Sequence, residues 1–408
     1  MSAPFLHPFA PPARPRDEFI TITRGEGAIV YDDAGGSYID AMASLWYANI
    51  GYGHLEMAEA IAEQVRTLPA FHTFSSFTNE PAEQLAAAIA ALSPFSAARV
   101  FFTGSGSEAV DTAMKLARAV QSIRGDDGNT VIISRDRAYH GVNYGGTSAS
   151  GLATNREHFG PFVGGVVKVD ADDLAKMETA FLEYRGEVAA VITEPVQGAG
   201  GVYPPPDGYL EGLRRLCDEH GALLIFDEVI TGFGRLGAWF AAQRFGVQPD
   251  LITFAKGVTS GYLPLGGVIV GDAAARTLEA DPGWVLRHGY TYSGHPTVCA
   301  AGLKNLEIME RDGLLDRALV IEDVFGRALN ALLDEGMVTA ARGIGGMWAV
   351  ETPGGVDETR VSDQMRGEGV LARPAYGSLI FCPPLVTTDD QLERVMETLA
   401  RVLRLPHA

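Results

Sequence analysis

Cysteine is scarce in this sequence: Cys217, Cys299 and Cys382 are the only three in 408 residues, far apart and never in a C-x-x-C pair. An odd, scattered set excludes a disulfide framework and offers no zinc-site spacing, so a reducing compartment and no metal are expected. Long apolar runs are missing too. No stretch approaches the roughly eighteen apolar residues of a membrane helix. The first sixteen residues, with Pro4, Pro8, Pro11, Pro12 and Pro15, lack the basic start and apolar centre of a signal peptide. Basic residues are outnumbered, 32 Lys and Arg against 51 Asp and Glu, for a formal charge of −19. That deficit argues against nucleic acid or an anionic membrane as a partner. Internal repeats are absent, as are low-complexity segments beyond the proline-rich start. The expectation is a cytoplasmic protein that acts on small molecules, with no nucleic acid and no membrane.

What is present is an ordinary globular balance, 47% hydrophobic and 20% charged, in a chain long enough for two sizeable cores. After an extended arm over residues 1–16, Ile20–Thr23 and Ala28–Tyr31 read as a hairpin-like pair. From Arg99 the pattern becomes α/β. Val100–Thr103 runs into a glycine turn and then a helix periodic in Ala109, Ala113, Leu116 and Val120. Val131–Ile133, Ala190–Thr193, Leu223–Phe226, Leu251–Phe254 and Gly267–Val270 predict a mostly parallel sheet, with a helix over Tyr209–His220. Beyond residue 300 the spacing predicts helices over Gly302–Arg311 and Leu319–Glu335, a strand at Met347–Val350 and a closing helix over Asp389–Leu403, a smaller α+β unit.

The most informative feature is an acid and a lysine, each closing an apolar strand: Asp227 after Leu223–Phe226 and Lys256 after Leu251–Phe254. Open α/β sheets gather ligands at the carboxyl ends of their strands, so the two residues can converge. A lysine there is costly to bury unless paired or neutralised, which suits one that binds a carbonyl as a Schiff base. A carboxylate about 4 Å from a pyridine nitrogen would hold its proton by roughly 4 kcal/mol at an effective dielectric near 20, about three pKa units. The turn Gly104-Ser105-Gly106-Ser107 offers backbone N–H groups, two hydroxyls and a helix N-terminus to a phosphate. Alone it is ambiguous, because Gly104-x-Gly106-x-x-Ala109, with Asp136 after a later strand, also satisfies a relaxed dinucleotide fingerprint. It is not a Walker A loop, since no Gly-Lys-Ser/Thr closes it.

Taken together, Phe226–Arg235, Gln248-Pro249-Asp250, Phe254-Ala255-Lys256-Gly257, Gly261–Gly267 and Thr193–Gly198 resemble the class III pyridoxal-phosphate aminotransferases over roughly residues 20–405. The resemblance implies fold type I: an α/β large domain with a mostly parallel mixed sheet between helices, a small domain built from both chain ends, and a homodimer with shared sites. The corresponding boundaries are 1–45 for the arm and part of the small domain, 46–300 for the large domain and 301–408 for the rest. It further implies pyridoxal 5'-phosphate as cofactor, Lys256 as the lysine that holds it and Asp227 as the partner of its ring nitrogen. Val229 and Tyr139 would pack on the two ring faces, Ser105, Gly106 and Ser107 would form the phosphate cup, and His140 and Glu194 would lie near the ring. Tyr290 and Thr291 match the pair that reaches the neighbouring subunit's phosphate.

Departures from relatives bear on the substrate. Ornithine, acetylornithine and GABA enzymes of this class carry a fixed carboxylate-binding arginine shortly before Pro-Pro-Leu, where this chain has Ile380 ahead of Pro383-Pro384-Leu385. Where ornithine- and GABA-type members carry a glutamate to neutralise that arginine, this chain has Ala199. Arg373 instead matches the mobile arginine of ω-amino acid and amine:pyruvate transaminases, and a guanidinium suits that role because it grips a carboxylate bidentately. Trp46 and Phe74 match those enzymes' aromatic wall, with Tyr139 and Ala199 beside it. The implied activity is ping-pong transfer of an amino group from a primary amine or ω-amino acid to an oxo acid, pyruvate first. The alternatives are an aminomutase or decarboxylating enzyme of the same fold and, more remotely, an NAD(P)-dependent oxidoreductase using Gly104–Ala109.

Overall fold

The structure, a computed structural model, describes residues 4–405; residues 1–3 of the expected arm and the last three of the chain lie outside it. A seven-stranded sheet runs in the order Arg99–Thr103, Gly266–Val270, Leu251–Phe254, Leu223–Asp227, Val188–Thr193, Val131–Arg135, Val166–Val169. The last five are mutually parallel, whereas Gly266–Val270 runs antiparallel to both of its neighbours.

The central strands read as continuous apolar runs because both faces are covered. Leu223 and Ile225 pack with Ala109, Ala113, Leu116 and Val120 of helix Gly106–Arg124. Leu224 and Phe226 point the other way, into a core shared with Leu213 and Leu216 of helix Tyr209–His220. That alternation is the period of two that a strand imposes.

Two four-stranded sheets flank this layer. In one, Ile22–Glu26, Ile29–Asp32 and Ser37–Asp40 form an antiparallel meander, and Val370–Leu371 adds parallel to Ser37–Asp40, joining the two ends of the chain. In the other, Ala340–Ile344, Met347–Glu351, Ser378–Phe381 and Arg373–Ala375 are antiparallel. Helix Asp389–Leu403 closes the chain behind a capping box between Thr388 and Gln391. The helix expected from Gly302 begins earlier, at Pro296, where a proline fits the first turn. The one expected from Leu319 begins at Leu314, directly after the left-handed Gly313.

Arg235 is fully buried and ties three segments together. Its guanidinium donates to Asn49 Oδ1 at 2.6 Å and to the Pro383 carbonyl at 2.7 Å. Among the described residues no helix is long and apolar enough to cross a membrane.

Candidate active site

Strands Leu223–Asp227 and Leu251–Phe254 are adjacent and parallel, with Asp227 opposite Thr253. Their carboxyl ends therefore deliver Asp227 and Lys256 to one place. Both line a cavity of about 470 Å³ together with Gly106, Ser107, Tyr139, His140, Glu194, Ala199, Val229, Trp46 and Arg373. One strand end supplies the acid, the next supplies the lysine, and the turn after Arg99–Thr103 supplies the helix N-terminus.

Asp227 is buried and held from three sides. Thr253 Oγ1 donates to Oδ1 at 3.0 Å, the Val229 N–H donates to the same oxygen at 3.2 Å, and His140 Nδ1 lies 2.7 Å from Oδ2. His140 is itself fully enclosed, and its other ring nitrogen has no partner. Glu194 accepts from the Tyr139 and Gly198 N–H groups at 2.9 and 3.0 Å. Burial pushes its carboxyl above the usual range, His140 pulls it back and Asp227 adds to the rise. Behind it the buried Arg135 donates to the Glu194 carbonyl at 2.6 Å.

Burial pulls the Lys256 ammonium down to about 8, against the opposing pull of Asp227 and Glu194. Lys256 also has a left-handed backbone, φ 48°, which non-glycine residues rarely adopt outside sites that over-determine them. Arg373, half-buried, faces the same cavity. Among the described residues no carboxylate lies within ion-pair distance of it. Burial lowers its pKa, with Tyr139 and Tyr376 opposing.

Helix Gly106–Arg124 opens behind Ser105, whose Oγ accepts the Glu108 N–H at 3.2 Å. The first N–H groups of this helix, at Gly106 and Ser107, have no carbonyl a turn earlier to bond. Gly106 is required by packing, since a Cβ there would lie 2.8 and 3.0 Å from the two methyls of Val229.

These donors fit a phosphorylated pyridine aldehyde. An amine of lowered pKa, a carboxylate, a flat aromatic and a helix N-terminus converge on one cavity. A dinucleotide reading of Gly104–Ala109 meets a different obstacle: its strand, Arg99–Thr103, is an antiparallel edge strand, whereas the fingerprint belongs to a parallel βαβ unit.

Not every expected residue gathers here. Ser105 lies outside the cavity lining, engaged in helix capping. Phe74 is 44% exposed, and its ring lies where a Cβ on Gly289 would touch it. Tyr290 donates to the Glu108 carbonyl at 3.2 Å, and Thr291 is exposed. These three residues form an outer region, away from their own chain's cavity. Ile380 is outside the lining, buried with Val196, Met347 and Ile230, the last of which does line the cavity.

Sequence reasoning missed Pro8, Phe9, Leu45, Leu152, Asn155 and Tyr376, which also line the cavity, because residues of loops and single short turns far apart in the chain carry no periodic signal. It also missed Thr253, although the register of two parallel strands would have placed it beside Asp227.

A family model described as "Aminotransferase class-III" matches residues 12–403. An omega-aminotransferase of Caulobacter vibrioides is 38% identical, the match covering 98% of this chain and 97% of the relative. A putrescine–pyruvate aminotransferase of Pseudomonas aeruginosa is 36% identical, covering 93% and 89%. Among solved structures, the omega transaminase from Pseudomonas jessenii in complex with PMP superposes with a TM-score of 0.93 at 33% identity, covering 98% of this chain and 95% of that one.

Proposed function

We propose, from the premise that this chain belongs to the class-III aminotransferase family, that it carries an amino group from a primary amine or ω-amino acid to pyruvate. The cofactor of the family is pyridoxal 5'-phosphate, which when bound supplies a carbonyl for the amine and an electron sink for the carbon that bears it.

The chain's own residues then take the following roles. Lys256 Nζ would hold the cofactor and, once displaced, serve as the base that takes the proton from the amine-bearing carbon and returns one to the acceptor. Its lowered pKa supports this, because a base works best when its pKa lies near the working pH. Asp227, fixed by Thr253 and Val229, would keep a proton on the ring nitrogen, with His140 backing its other oxygen. Tyr139 and Val229 would flank the ring, and the N–H groups of Gly106 and Ser107, with Ser107 Oγ, would hold the phosphate. Glu194 keeps Tyr139 and the segment before Ala199 in place through the two N–H groups it accepts.

The observation that carries the substrate reading is Arg373: a guanidinium in the same cavity as Lys256 that forms no ion pair among the described residues, while Ile380 is sequestered in the core. Arg373 would grip the carboxylate of pyruvate or of an ω-amino acid, and Trp46 and Tyr139 would wall the apolar part of a donor. Phe74, Tyr290 and Thr291 would complete the site of a second copy in a homodimer, a reading supported by their position away from their own cavity. Three buried, unpaired cysteines suit the cytoplasm.

Arg373→Leu tests the reading. We expect kcat/KM for pyruvate to fall about a hundredfold, the loss of a bidentate charged contact, and that for a carboxylate-free amine to change less than about threefold. Equal losses in both half-reactions would contradict it.

A further inference from the structure

Asp40 lies at the end of strand Ser37–Asp40, outside the cavity lining, and is 1% exposed. Its carboxylate is nonetheless engaged from three directions: the Met42 N–H at Oδ1, 2.9 Å, and the Ser44 N–H and Tyr52 hydroxyl at Oδ2, both 2.6 Å. The segment it holds is unusual. Ala43, Ser44 and Trp46 all adopt left-handed φ, at 46°, 57° and 69°, a region that side chains beyond glycine rarely enter. The Ser44 and Tyr47 hydroxyls bond each other at 2.6 Å, closing the turn from its far side.

A backbone of this kind persists only where its surroundings over-determine it. Here the turn ends on Trp46, one wall of the cavity. The same strand end also borders the arginine: Asp40 pairs with Leu371, and the Ala41 N–H donates to the Leu371 carbonyl at 3.0 Å, two residues before Arg373.

We propose that Asp40, with Tyr52, is a positioning residue that sets the Trp46 wall and so determines how well the enzyme accepts carboxylate-free apolar amines. The inference rests on the substrate reading above for its kinetic consequence, but not for its structural one. Asparagine at 40 presents a single acceptor oxygen to three donors and turns an N–H₂ toward one of them. The turn then loses its anchor, and the indole leaves its buried place.

The structural arm uses the holoenzyme's tryptophan fluorescence. The Trp46 contribution, taken as the difference from Trp46→Phe, should be shielded from iodide in the unaltered enzyme and quenchable in Asp40→Asn. The kinetic arm compares benzylamine with L-alanine. We expect KM for benzylamine to rise about tenfold in Asp40→Asn while KM for L-alanine and both kcat values stay within about threefold. In a Trp46→Ala background, Asp40→Asn should add less than about twofold, because the two residues act as one unit. Should Asp40→Asn fail to fold, Tyr52→Phe, which removes one donor, decides the matter: KM for benzylamine should rise about fivefold while KM for L-alanine stays within about twofold.

A Trp46 that stays shielded, or losses that simply multiply in the double variant, would overturn the proposal. Absence of benzylamine turnover by the unaltered enzyme would fault the substrate reading alone, leaving the quenching result to judge Asp40.

Discussion

Lys256 is the side chain on which the proposed chemistry depends, and two of its properties follow from where it sits. Its pKa of about 8 is set by burial, so the neutral, nucleophilic fraction should be about a tenth at pH 7, half at pH 8 and nine-tenths at pH 9. Capture of pyridoxal 5'-phosphate by the cofactor-free protein, followed by visible absorbance, should therefore rise about tenfold from pH 7 to 9 and then level off. An ordinary lysine would keep gaining up to its usual value near 10.4. The sign for stability follows. The folded state binds fewer protons at this group between pH 8 and 10.5, so its unfavourable contribution to the cofactor-free protein shrinks as pH rises through that window. Lys256→Ala should abolish absorbance and turnover together; a variant that kept both would remove Lys256 from the role. The lysine's position could be read from an apolar strand ending in Phe254-Ala255-Lys256-Gly257. Its left-handed backbone could not, because φ at one residue is imposed by the packing around it and not by its own side chain.

At the level of elements, the legible parts were those that repeat. Five central strands announce themselves by apolar runs, because both of their faces are covered, and the helix Gly106–Arg124 by the period of its one buried stripe. The direction of Gly266–Val270 does not announce itself; an antiparallel strand covered on both sides has the same composition as a parallel one. Nor does the ring of loop residues from Phe9 to Tyr376 around the cavity, which is assembled across most of the chain. The helix N-terminus gives an element-level test. Gly106→Ala places a methyl against Val229, and we expect affinity for the cofactor to drop about tenfold, roughly 1.4 kcal/mol, with the helix still formed. Arg235 gives another. Arg235→Leu leaves Asn49 Oδ1 and the Pro383 carbonyl without their donor and should destabilise the fold by about 3 kcal/mol, read as a lower denaturation midpoint.

For the molecule as a whole, an N-terminal and a C-terminal segment meet in one sheet beside the cavity, where Val370–Leu371 pairs with Ser37–Asp40. Arg373 and Trp46, distant in sequence, thereby become neighbours of Lys256. Phe74 and Thr291 face outward, and we expect light scattering of the holoenzyme to give a particle of two chains. Thr291→Ala should weaken cofactor retention without altering that mass. In the division of labour proposed here, Asp227 and Lys256 would provide the chemistry shared by the family, while Arg373 and Trp46 would select the partners. The most direct measurement is product analysis of the holoenzyme given a carboxylate-free amine with pyruvate or with 2-oxoglutarate. Alanine formed from pyruvate, at a rate at least about tenfold above that of glutamate from 2-oxoglutarate, is the expected result; glutamate as the sole product would contradict it.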